Sequence, residues 1–571
     1  MLGRFLRVAI CTGVGIGSPV GLTIARAQIT APSQLTPQDL RPPTPADAQS
    51  INLPGTSPAT APTGDSNLTV RIRDVRLEGA FVERASADDV LIASLRGRRV
   101  SVAQIYATAS TLERAYAEAG YPLVRVAVPP QRLVDGGSLR LVVVDGFIET
   151  VEVEGVPARV RSIVAARATR LVGQRHLELA QLERILLVAG GVPGLKLRST
   201  LMRGNREGGA RLILEGEHRL VTGSAGADDR LPGSLGTWQL RGAVALNGAF
   251  GAGEQIYGTV GLGANLRAAT ERAAPLAVYG GGLVVPIGID GLTINPEYTH
   301  STTRTAQAPG VVASYGTFER FALRLREPIV LTHKSSLHAN VSLEVIDQQI
   351  AAPDFGVTLS HDHYGVFRAG ADFSTTLPWG STIQLGGLWS GGLGGRSVTD
   401  AAASGVPLSR LGAGPDFAKL AGDLRISQAL PAGLRWDVIC IGQTTFGKPI
   451  FRSEQISLDG SDLISAFASG TFTADQGATL RSELARPFGI NAFNTTVSPY
   501  VFGAIGRGWL ANTTIVERPA FNAGAAGLGL RGNLDAGIST ASLALEAARG
   551  FTDLPGTRQG WRANVIAAMA Y

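Results

Sequence analysis

Few residues in this chain have the types and spacing that catalysis or metal binding requires. His361, Asp362 and His363 are consecutive, and imidazole and carboxylate groups are common zinc ligands. Because no further Cys or Glu ligand set is evident, a solvated loop is the favoured interpretation of this tripeptide. Asp228 and Asp229 could belong to a Ca²⁺ site, but no spaced oxygen ligands follow them, so a turn is favoured there.

Motifs for covalent catalysis and for energy coupling are also missing from the sequence. No Gly-x-Ser-x-Gly segment stands in the strand-to-helix setting that a hydrolase nucleophile needs. No Gly-Lys-Ser/Thr loop is present to cradle a phosphate. The sequence therefore predicts no catalytic residue, no metal site and no cofactor, and it favours a protein that is not an enzyme.

The composition indicates a sheet embedded in a membrane. The 571 residues include 72 glycines, only 17% are charged, and the mean hydropathy is +0.15. A soluble enzyme of this length normally carries more charge and less glycine. Beyond the N-terminus, no stretch of about 18 consecutive apolar residues indicates a membrane helix. A closed β-barrel is then the remaining way to satisfy every backbone group inside a bilayer.

Charge and cysteine content restrict the partners and the cross-links. The net charge is +6, but the basic residues are spread along the chain and form no compact Lys/Arg run, so a nucleic acid is not a predicted partner. Cys11 and Cys440 are the only cysteines. Since Cys11 lies in a segment expected to be removed, one thiol and no intrachain disulfide are predicted.

The first 27 residues have the pattern of a signal peptide. Arg4 and Arg7 precede an apolar stretch over residues 8–24, and Ala25-Arg26-Ala27 is a small-x-small cleavage site. A membrane anchor helix is the alternative. It is less favoured because the stretch is short and lacks a stop-transfer flank.

A tether and two α/β units are predicted next. Residues 28–67 contain eight prolines, which exclude a long helix or a central strand and predict an extended tether, with a plug or a linker as its role. Residues 68–146 and 147–217 each show the order strand, helix, helix, strand, strand, so they are two copies of one unit. In the first copy, Ser101 and Gln104 form a capping-box pair at the start of the second helix.

From His218 onwards the hydrophobic period is two residues. Over residues 337–345, for example, apolar side chains alternate with His, Asn, Ser and Glu, which is typical of a barrel with lipid outside and water inside. Residues 218–571 accommodate about 16 antiparallel strands, with a loop near 458–480 folded inward. A soluble β-sandwich or β-helix is the alternative, and the aromatic last residue, Tyr571, argues against it.

The chain resembles a family, the two-partner secretion transporters (TpsB) of the ShlB, FhaC and HecB type. These hemolysin secretion/activation proteins join periplasmic POTRA domains to an outer-membrane β-barrel. The resemblance is carried, in order along the chain, by residues 120–123, 128–131, 139–149, 247–255, 458–463, 477 and 480–484. It implies a transmembrane β-barrel preceded by two α/β POTRA domains, the first of ShlB type.

The resemblance also implies a site where the sixth extracellular loop meets the barrel wall. Its residues would be the loop motif, the facing strand and the strand after the loop: Asp462, Leu463, Ile464, Ser465, Ala466 and Phe467; Phe502, Ala504 and Gly506; Arg481 and Glu483. Ser465 stands where the family has an Arg, and Ala504 stands where it has an Asp that pairs with that Arg. Loss of both is mutually compatible, since neither leaves a lone buried charge. Tyr571 is implied as a C-terminal assembly signal.

The function that the resemblance implies is export of a partner polypeptide. The POTRA domains would recognise an unfolded, secreted, β-helical exoprotein, and the barrel would carry it to the cell surface. Outer-membrane lipid and the barrel assembly machinery are further implied partners, with the POTRA domains in the periplasm. The alternatives are an insertase for other barrels, as in the BamA and TamA branches, and a passive porin. Two α/β repeats with a Pro-rich tether favour the transporter.

Overall fold

The computed structural model describes most of the chain beyond its N-terminus: residues 50–52, 68–264, 274–305, 312–490, 494–515 and 517–571. The signal-peptide prediction over 1–27 and most of the tether prediction over 28–67 lie outside these residues. Within the tether, β1 (Ser50–Asn52) is described, and it is a strand added in parallel to the sheet of the second α/β unit.

The first α/β unit is a four-stranded sheet covered by two helices. Its elements are β2 (Thr69–Glu78), α1 (Ala85–Ile92), β3 (Arg99–Ser101), α2 (Val102–Glu118), β4 (Arg125–Ala127) and β5 (Gly137–Val144). The spatial order of the strands is β3-β2-β5-β4. The predicted capping box is confirmed, because Ser101 Oγ accepts from the Gln104 N–H at 3.2 Å and Gln104 Oε1 accepts from the Ser101 N–H at 2.8 Å.

The second α/β unit has the predicted order strand, helix, helix, strand, strand, whereas the first unit departs from it by the short strand β3 between its two helices. It contains β6 (Phe147–Glu154), α3 (Ala158–Ala168), α4 (Leu179–Gly190), β7 (Leu195–Arg203) and β8 (Gly209–His218). The sheet order is β1-β7-β8-β6, so β1 forms one edge of the sheet. Apolar residues of α3 and α4, such as Val164 and Leu182, are fully buried against this sheet.

The rest of the chain closes into one barrel. Its elements in chain order are β9 (Val221–Asp228), β10 (Trp238–Asn247), β11 (Gln255–Ala264), β12 (Leu276–Pro286), β13 (Thr293–Thr305), β14 (Ser314–Leu331), β15 (Ser335–Ala352), β16 (Val357–Thr376), β17 (Thr382–Gly395), α5 (Val398–Ser404), β18 (Ala418–Ala429), β19 (Arg435–Thr444), β20 (Ile456–Ser457), β21 (Thr473–Ala474), β22 (Gln476–Ala485), β23 (Phe488–Ile490), β24 (Thr495–Trp509), β25 (Ala520–Asp535), β26 (Thr540–Thr552) and β27 (Gly560–Ala570).

The barrel has sixteen antiparallel strands, as the sequence predicts. β22 and β23 both pair with β24 and are two segments of one interrupted strand, while β20 and β21 form a separate hairpin inside a loop. The last strand, β27, closes the barrel by pairing with residues 224–228 of β9. The strands differ in length, since β9 has 8 residues whereas β14, β15 and β16 have 18, 18 and 20.

The two faces of the barrel wall differ in polarity as predicted. On β15, Ser342 and Glu344 are buried on the inner face, whereas Val341, Leu343 and Val345 are exposed on the outer face. Apolar side chains on the outer face match a hydrocarbon environment. In the part of the chain that the structure describes, no helix has the length and apolarity to cross a membrane. The thiol of Cys440, on β19, is free.

The second α/β unit is docked against the barrel turns on its own side. The turn between β10 and β11 reaches α3, and a Cβ on Gly248 would lie 2.6 Å from Val160 Cγ1. Gly248 also has φ of +57°, so glycine is required there for both space and backbone conformation. On α4, Glu183 Oε2 accepts from the His333 N–H of another turn at 3.0 Å. These contacts define which end of the barrel faces the α/β units.

Tyr116 on α2 has a buried hydroxyl that links two other segments of the first unit. The hydroxyl donates to Asp88 Oδ2 at 2.6 Å and accepts from the Phe81 N–H at 3.1 Å. The Tyr116 and Asp88 side chains are both buried. Burial, followed by the hydrogen bond to Asp88, raises the pKa of Tyr116 above its ordinary value.

We expect Tyr116→Phe to lower the free energy of unfolding of the first unit by about 1–3 kcal/mol, because Asp88 Oδ2 and the buried Phe81 N–H lose their hydrogen-bond partner. Hydrogen exchange of the α2 amides in the full-length protein, measured as urea is raised, reports this change. Tyr106→Phe on the same helix is the matched control, since Tyr106 is only partly buried.

The same pair of variants has a pH signature. Because the folded unit holds the Tyr116 proton more tightly than the unfolded chain does, the wild type loses stability as pH rises above the ordinary pKa of 10.0. The Tyr116→Phe protein lacks this loss, so the two stabilities should converge at alkaline pH. A constant difference would contradict the assignment.

Candidate functional site in the barrel lumen

The sixth extracellular loop, residues 445–475, folds into the barrel interior. It connects β19 to β22 and is the sixth hairpin connection on the side of the barrel opposite the α/β units. Its tip is buried although it belongs to a loop, and Ser465 is only 1% exposed. The structure thus places the tip at the inner wall, near the middle of β22 and β26.

The loop tip is held by three barrel strands. Ser465 Oγ donates a hydrogen bond to Glu546 Oε1 on β26. Arg481 Nη1 on β22 donates to Ser465 Oγ at 3.2 Å, and Asn564 Nδ2 on β27 donates to the Ser465 carbonyl at 2.9 Å. Ser465, at the position where the resemblance implies an Arg, is therefore fixed by a carboxylate, a guanidinium and an amide of the wall.

Arg481 supplies the positive charge of this site. Its side chain is fully buried, and Nη2 lies 2.7 Å from Glu546 Oε2 and 3.1 Å from Glu483 Oε2. Nη1 also donates to the Leu463 carbonyl of the loop at 3.3 Å. The guanidinium carbon lies 3.5 Å from the centre of the Phe502 ring, which adds a cation–π contact. The cation therefore belongs to the wall and reaches the loop through a hydroxyl and backbone carbonyls.

The strand that faces the loop makes room for it. Ala504 is directly opposite Arg481 in the β22–β24 ladder and is buried. A Cβ on Gly506 would lie 2.9 Å from Ile464 Cδ1, so glycine at this position lets the loop approach the wall. Phe467 packs edge to face on Phe472 within the loop, with ring centroids 4.7 Å apart. The structure brings these predicted residues together around the tip.

Asp462 is the predicted loop residue that the structure places away from this cluster. Its Oδ2 lies 3.1 Å from Arg425 Nη2 on β18, and both side chains are about half exposed. In high dielectric such a pair contributes little to stability. Asp462 therefore orients the loop at a wetter position than Ser465.

The base of the loop is anchored separately, through Glu454. This carboxylate is fully buried and bonds to Arg368 Nη2 at 2.7 Å, Lys419 Nζ at 2.8 Å and the Tyr364 hydroxyl at 2.9 Å. Sequence reasoning missed Glu454, because its partners lie on β16 and β18. Its position shortly before the loop motif was the available signal. The loop is thus held at its base as well as at its tip.

The anchor at Glu454 continues into a polar network on β13 to β16. Arg368 Nε lies 3.2 Å from Glu344 Oε2. Glu297 bonds to Arg320 at 2.8 Å and to Arg324 at 2.6 Å. Buried charges with hydrogen-bonded partners avoid the penalty of an isolated ion. The arrangement contains no nucleophile with an adjacent base, and what it does is to hold a loop within a water-compatible lumen.

The histidine tripeptide is not a loop, which corrects the favoured interpretation. His361 and His363 lie on β16, where their rings contact Asp347 Oδ2 at 3.1 Å and 3.0 Å. The physical reason is the length of β16, whose strand pairing continues past these polar residues. Asp229 follows the end of β9 and accepts from the Val565 N–H at 3.0 Å. Among the described residues, no His, Cys, Asp and Glu group could hold a metal ion.

Comparison with known proteins identifies the family. The family model described as haemolysin secretion/activation protein ShlB/FhaC/HecB matches residues 208–532, which is more than half of the chain. The chain belongs to the ShlB/FhaC/HecB family. A ShlB-type POTRA domain model matches residues 70–146, the first α/β unit. The chain is thus a TpsB-type outer-membrane transporter with its POTRA domains in the periplasm, and TpsB transporters work with secreted partner exoproteins.

Individual relatives agree with this family. The hemolysin transporter protein ShlB of Serratia marcescens is 25% identical over 464 residues, which are 79% of this chain and 78% of that protein. The solved structure of CdiB from Escherichia coli aligns with a TM-score of 0.66 at 18% identity and covers 90% of this chain and 93% of its own. CdiB from Acinetobacter baumannii aligns with a TM-score of 0.57 at 15% identity and covers 88% and 90%. These two structures show the same fold.

In this ShlB/FhaC/HecB-type transporter, we expect Glu546→Gln to loosen the loop tip. Arg481 loses its nearer carboxylate, at 2.7 Å, and keeps Glu483 at 3.1 Å, so the cost is below the value of about 3–5 kcal/mol for a buried charge that loses its sole partner. Conductance in planar bilayers should show more frequent openings. Glu319→Gln is the matched control, because Glu319 is exposed and lies outside the loop site. Equal opening frequencies in wild type and Glu546→Gln would contradict the role assigned to this pair.

A double-mutant cycle tests whether Arg481, on the barrel wall, has taken the place of the arginine that the resemblance implies at position 465 of the loop. Ser465→Arg places a second guanidinium beside Arg481 and should lower the unfolding temperature of the barrel, because like charges repel in a desolvated site. Ala504→Asp in the same chain adds a carboxylate opposite Arg481, so we expect it to recover about 1 kcal/mol or more of that loss. Heat-dependent gel mobility of the barrel measures each variant, with Ala504→Asp alone as the control. Simple additivity of the two effects would refute the coupling.

Proposed function

We propose that this transporter binds an unfolded, secreted partner through its POTRA domains and exports it through the barrel to the cell surface. The proposal is supported by one observation above all: an edge of the second POTRA sheet already holds an extended segment of the chain itself. An edge that accepts one extended strand presents the backbone groups that another extended strand needs.

The geometry of this edge gives the proposed mode of recognition. β1 pairs in parallel with residues 198–200 of β7, with Ile51 opposite Ser199. Pairing of this kind uses backbone N–H and C=O groups and demands little of the side chains, which suits a client that is unfolded when it arrives. We propose that the segment at Ser50–Asn52 and the client compete for the β7 edge.

Passage through the lumen requires the sixth loop to leave the inner wall. In the proposed movement, Ser465 gives up its bonds to Glu546, Arg481 and Asn564. Arg481 and Glu546 lie on β22 and β26, so their 2.7 Å ion pair does not depend on the loop. The wall then keeps its buried charge paired while the loop is displaced, which lowers the cost of opening. The residues from Asp462 to Phe467 act in this proposal as a releasable lock.

Assembly and membrane contacts complete the proposal. Tyr571 ends the chain after β27, and its backbone exchanges hydrogen bonds with Gly223 of β9 at 2.9 Å and 3.1 Å. Its side chain is 55% exposed and is available as a signal to the barrel assembly machinery. The apolar outer face contacts outer-membrane lipid. No energy-coupling motif occurs in the sequence, so we propose that the driving force for export comes from capture of the partner and from its folding outside.

A reversible disulfide tests recognition at the β7 edge. Ile51→Cys with Ser199→Cys, in a Cys440→Ser background, pins β1 onto β7 because the two residues are opposite each other. Cells that co-express a candidate partner should release less of it into the medium with the oxidised pin and recover on addition of a membrane-permeant reductant. Ile51→Cys alone is the control.

Two outcomes of this assay contradict the proposal at different levels. Equal release with and without the pin would exclude the β7 edge as the place of recognition. Absence of the partner from the medium even with the wild-type transporter, when all tested partners are stable in the cell, would contradict export itself.

A deletion of the transporter tests the alternative function. Loss of other assembled barrels on this deletion, with partner release unchanged, would favour the insertase.

A further inference from the structure

Three arginines of the second POTRA unit meet where this unit contacts the barrel. Arg167 lies near the end of α3, Arg170 follows in the next turn, and Arg184 lies on α4. They line a small cleft together with two apolar residues of α4 and two residues of the β12–β13 turn: Ile185, Val188, Ile289 and Asp290. The cleft is thus built from both parts of the transporter.

Arg167 is unusual because it is buried without a carboxylate. Its side chain is 5% exposed, and Nη1 donates to the Val188 carbonyl at 2.7 Å. Its Nε is buried without a hydrogen bond, and among the described residues no carboxylate forms an ion pair with it. Burial lowers the pKa of the guanidinium accordingly. Buried cations in proteins are ordinarily paired with an anion, and Arg167 has no such partner within the described part of the chain, so its charge is available to a bound anion.

The other two arginines add positive charge and have limited compensation. Arg170 pairs with Asp290 of the turn. Arg184 Nη1 donates to the Pro328 and Ile329 carbonyls at 2.6 Å and 3.0 Å, and its Nη2 is 3.7 Å from Glu327. Three guanidinium groups therefore face one carboxylate in the cleft, with a second carboxylate at the longer distance.

The position of the cleft relative to the bilayer identifies the kind of anion. It lies at the periplasmic end of the barrel, next to the turns that follow β12 and β14. Apolar side chains are exposed at this rim: Ile287, just after β12, is 43% exposed, and Ile329 and Val330, at the end of β14, are 52% and 40% exposed. Apolar residues at the rim of a barrel contact the boundary between acyl chains and headgroups. Guanidinium groups beside them are at the level of the lipid phosphates.

We propose that the phosphate of a phospholipid in the inner leaflet binds in this cleft between Arg167, Arg170 and Arg184. Guanidinium groups present paired N–H donors that match phosphate oxygens. The lipid would join the second POTRA unit to the barrel by charge-assisted bonds at a point where the protein alone leaves a buried cation unpaired. This binding site is separate from the export step and does not depend on it.

The test uses the full-length transporter in dodecyl maltoside, which contains no phosphate. Diheptanoyl phosphatidylglycerol, diheptanoylglycerol and inorganic phosphate are added in separate titrations, and native mass spectrometry measures the bound fraction. We expect one phospholipid to bind in preference to the phosphate-free diacylglycerol. Arg170→Gln should weaken this binding about tenfold, the factor that corresponds to about 1.4 kcal/mol. Arg76→Gln, on an exposed site of β2, is the charge-matched control.

Asp290→Asn separates a ligand site from a structural ion pair. Asp290→Asn removes the carboxylate that competes for Arg170 and should tighten phospholipid binding. If the Arg170–Asp290 pair is only structural, Asp290→Asn and Arg170→Gln should instead both weaken the contact between the second POTRA unit and the barrel. If Arg170→Gln lacks the heat-modifiable mobility of a folded barrel, Arg170→Lys replaces it and should bind more weakly than wild type. Equal binding of phospholipid and diacylglycerol, or equal effects of the two variants, overturns the site. Inorganic phosphate that binds as tightly as phospholipid overturns the lipid assignment.

Discussion

Every peptide group that a polypeptide places in hydrocarbon must be hydrogen-bonded within the protein, since lipid offers no partner. Most other features of this molecule follow from that constraint. The pairing of β27 with β9 removes the two free edges that an open sheet would expose. Closure then separates the side chains, with apolar residues such as Leu343 outside and polar ones such as Glu344 inside. A wide polar lumen is the consequence, and it requires both paired charges and a segment to occupy it.

The sixth loop occupies that lumen through an unusual division of charge. Arg481 and Glu546 form the buried pair, and both are on the wall, while the loop contributes Ser465 and backbone carbonyls. A hydroxyl is cheaper to withdraw from such a site than an ionic group, because its desolvation and resolvation energies are smaller. The anchor at Glu454, by contrast, is ionic. The loop is therefore held by an ionic group at its base and by a neutral hydroxyl at its tip.

The sequence predicts those features that depend on local pattern. Alternation over residues 337–345 correctly assigns the inner and outer faces of β15, and Ser101 with Gln104 correctly marks the start of α2. The resemblance names Ser465 and Ala504, and the structure places Ser465 in hydrogen-bond contact with Arg481 and Ala504 opposite Arg481 in the strand ladder. The partners of Ser465 were not predictable in this way, since Glu546 and Asn564 are 81 and 99 residues away and meet it only through the barrel register. Arg481 could have been inferred as the compensating cation, because it faces inward on the strand after the loop.

The unequal strand lengths give the transporter an uneven rim. About 9–11 residues cross the hydrocarbon, whereas β14, β15 and β16 have 18 to 20. Their extracellular ends carry outward-facing polar residues, such as Glu319, which pairs with His300 of the neighbouring β13, and Asp347, which pairs with His363; such pairs belong above the acyl chains. The wall formed by β14, β15 and β16 rises above the membrane surface. The side formed by β9, which has 8 residues, is shorter and ends near the lipid surface. If a partner leaves through the lumen, as proposed, it passes a tall protein wall on one side and the short strand β9 on the other.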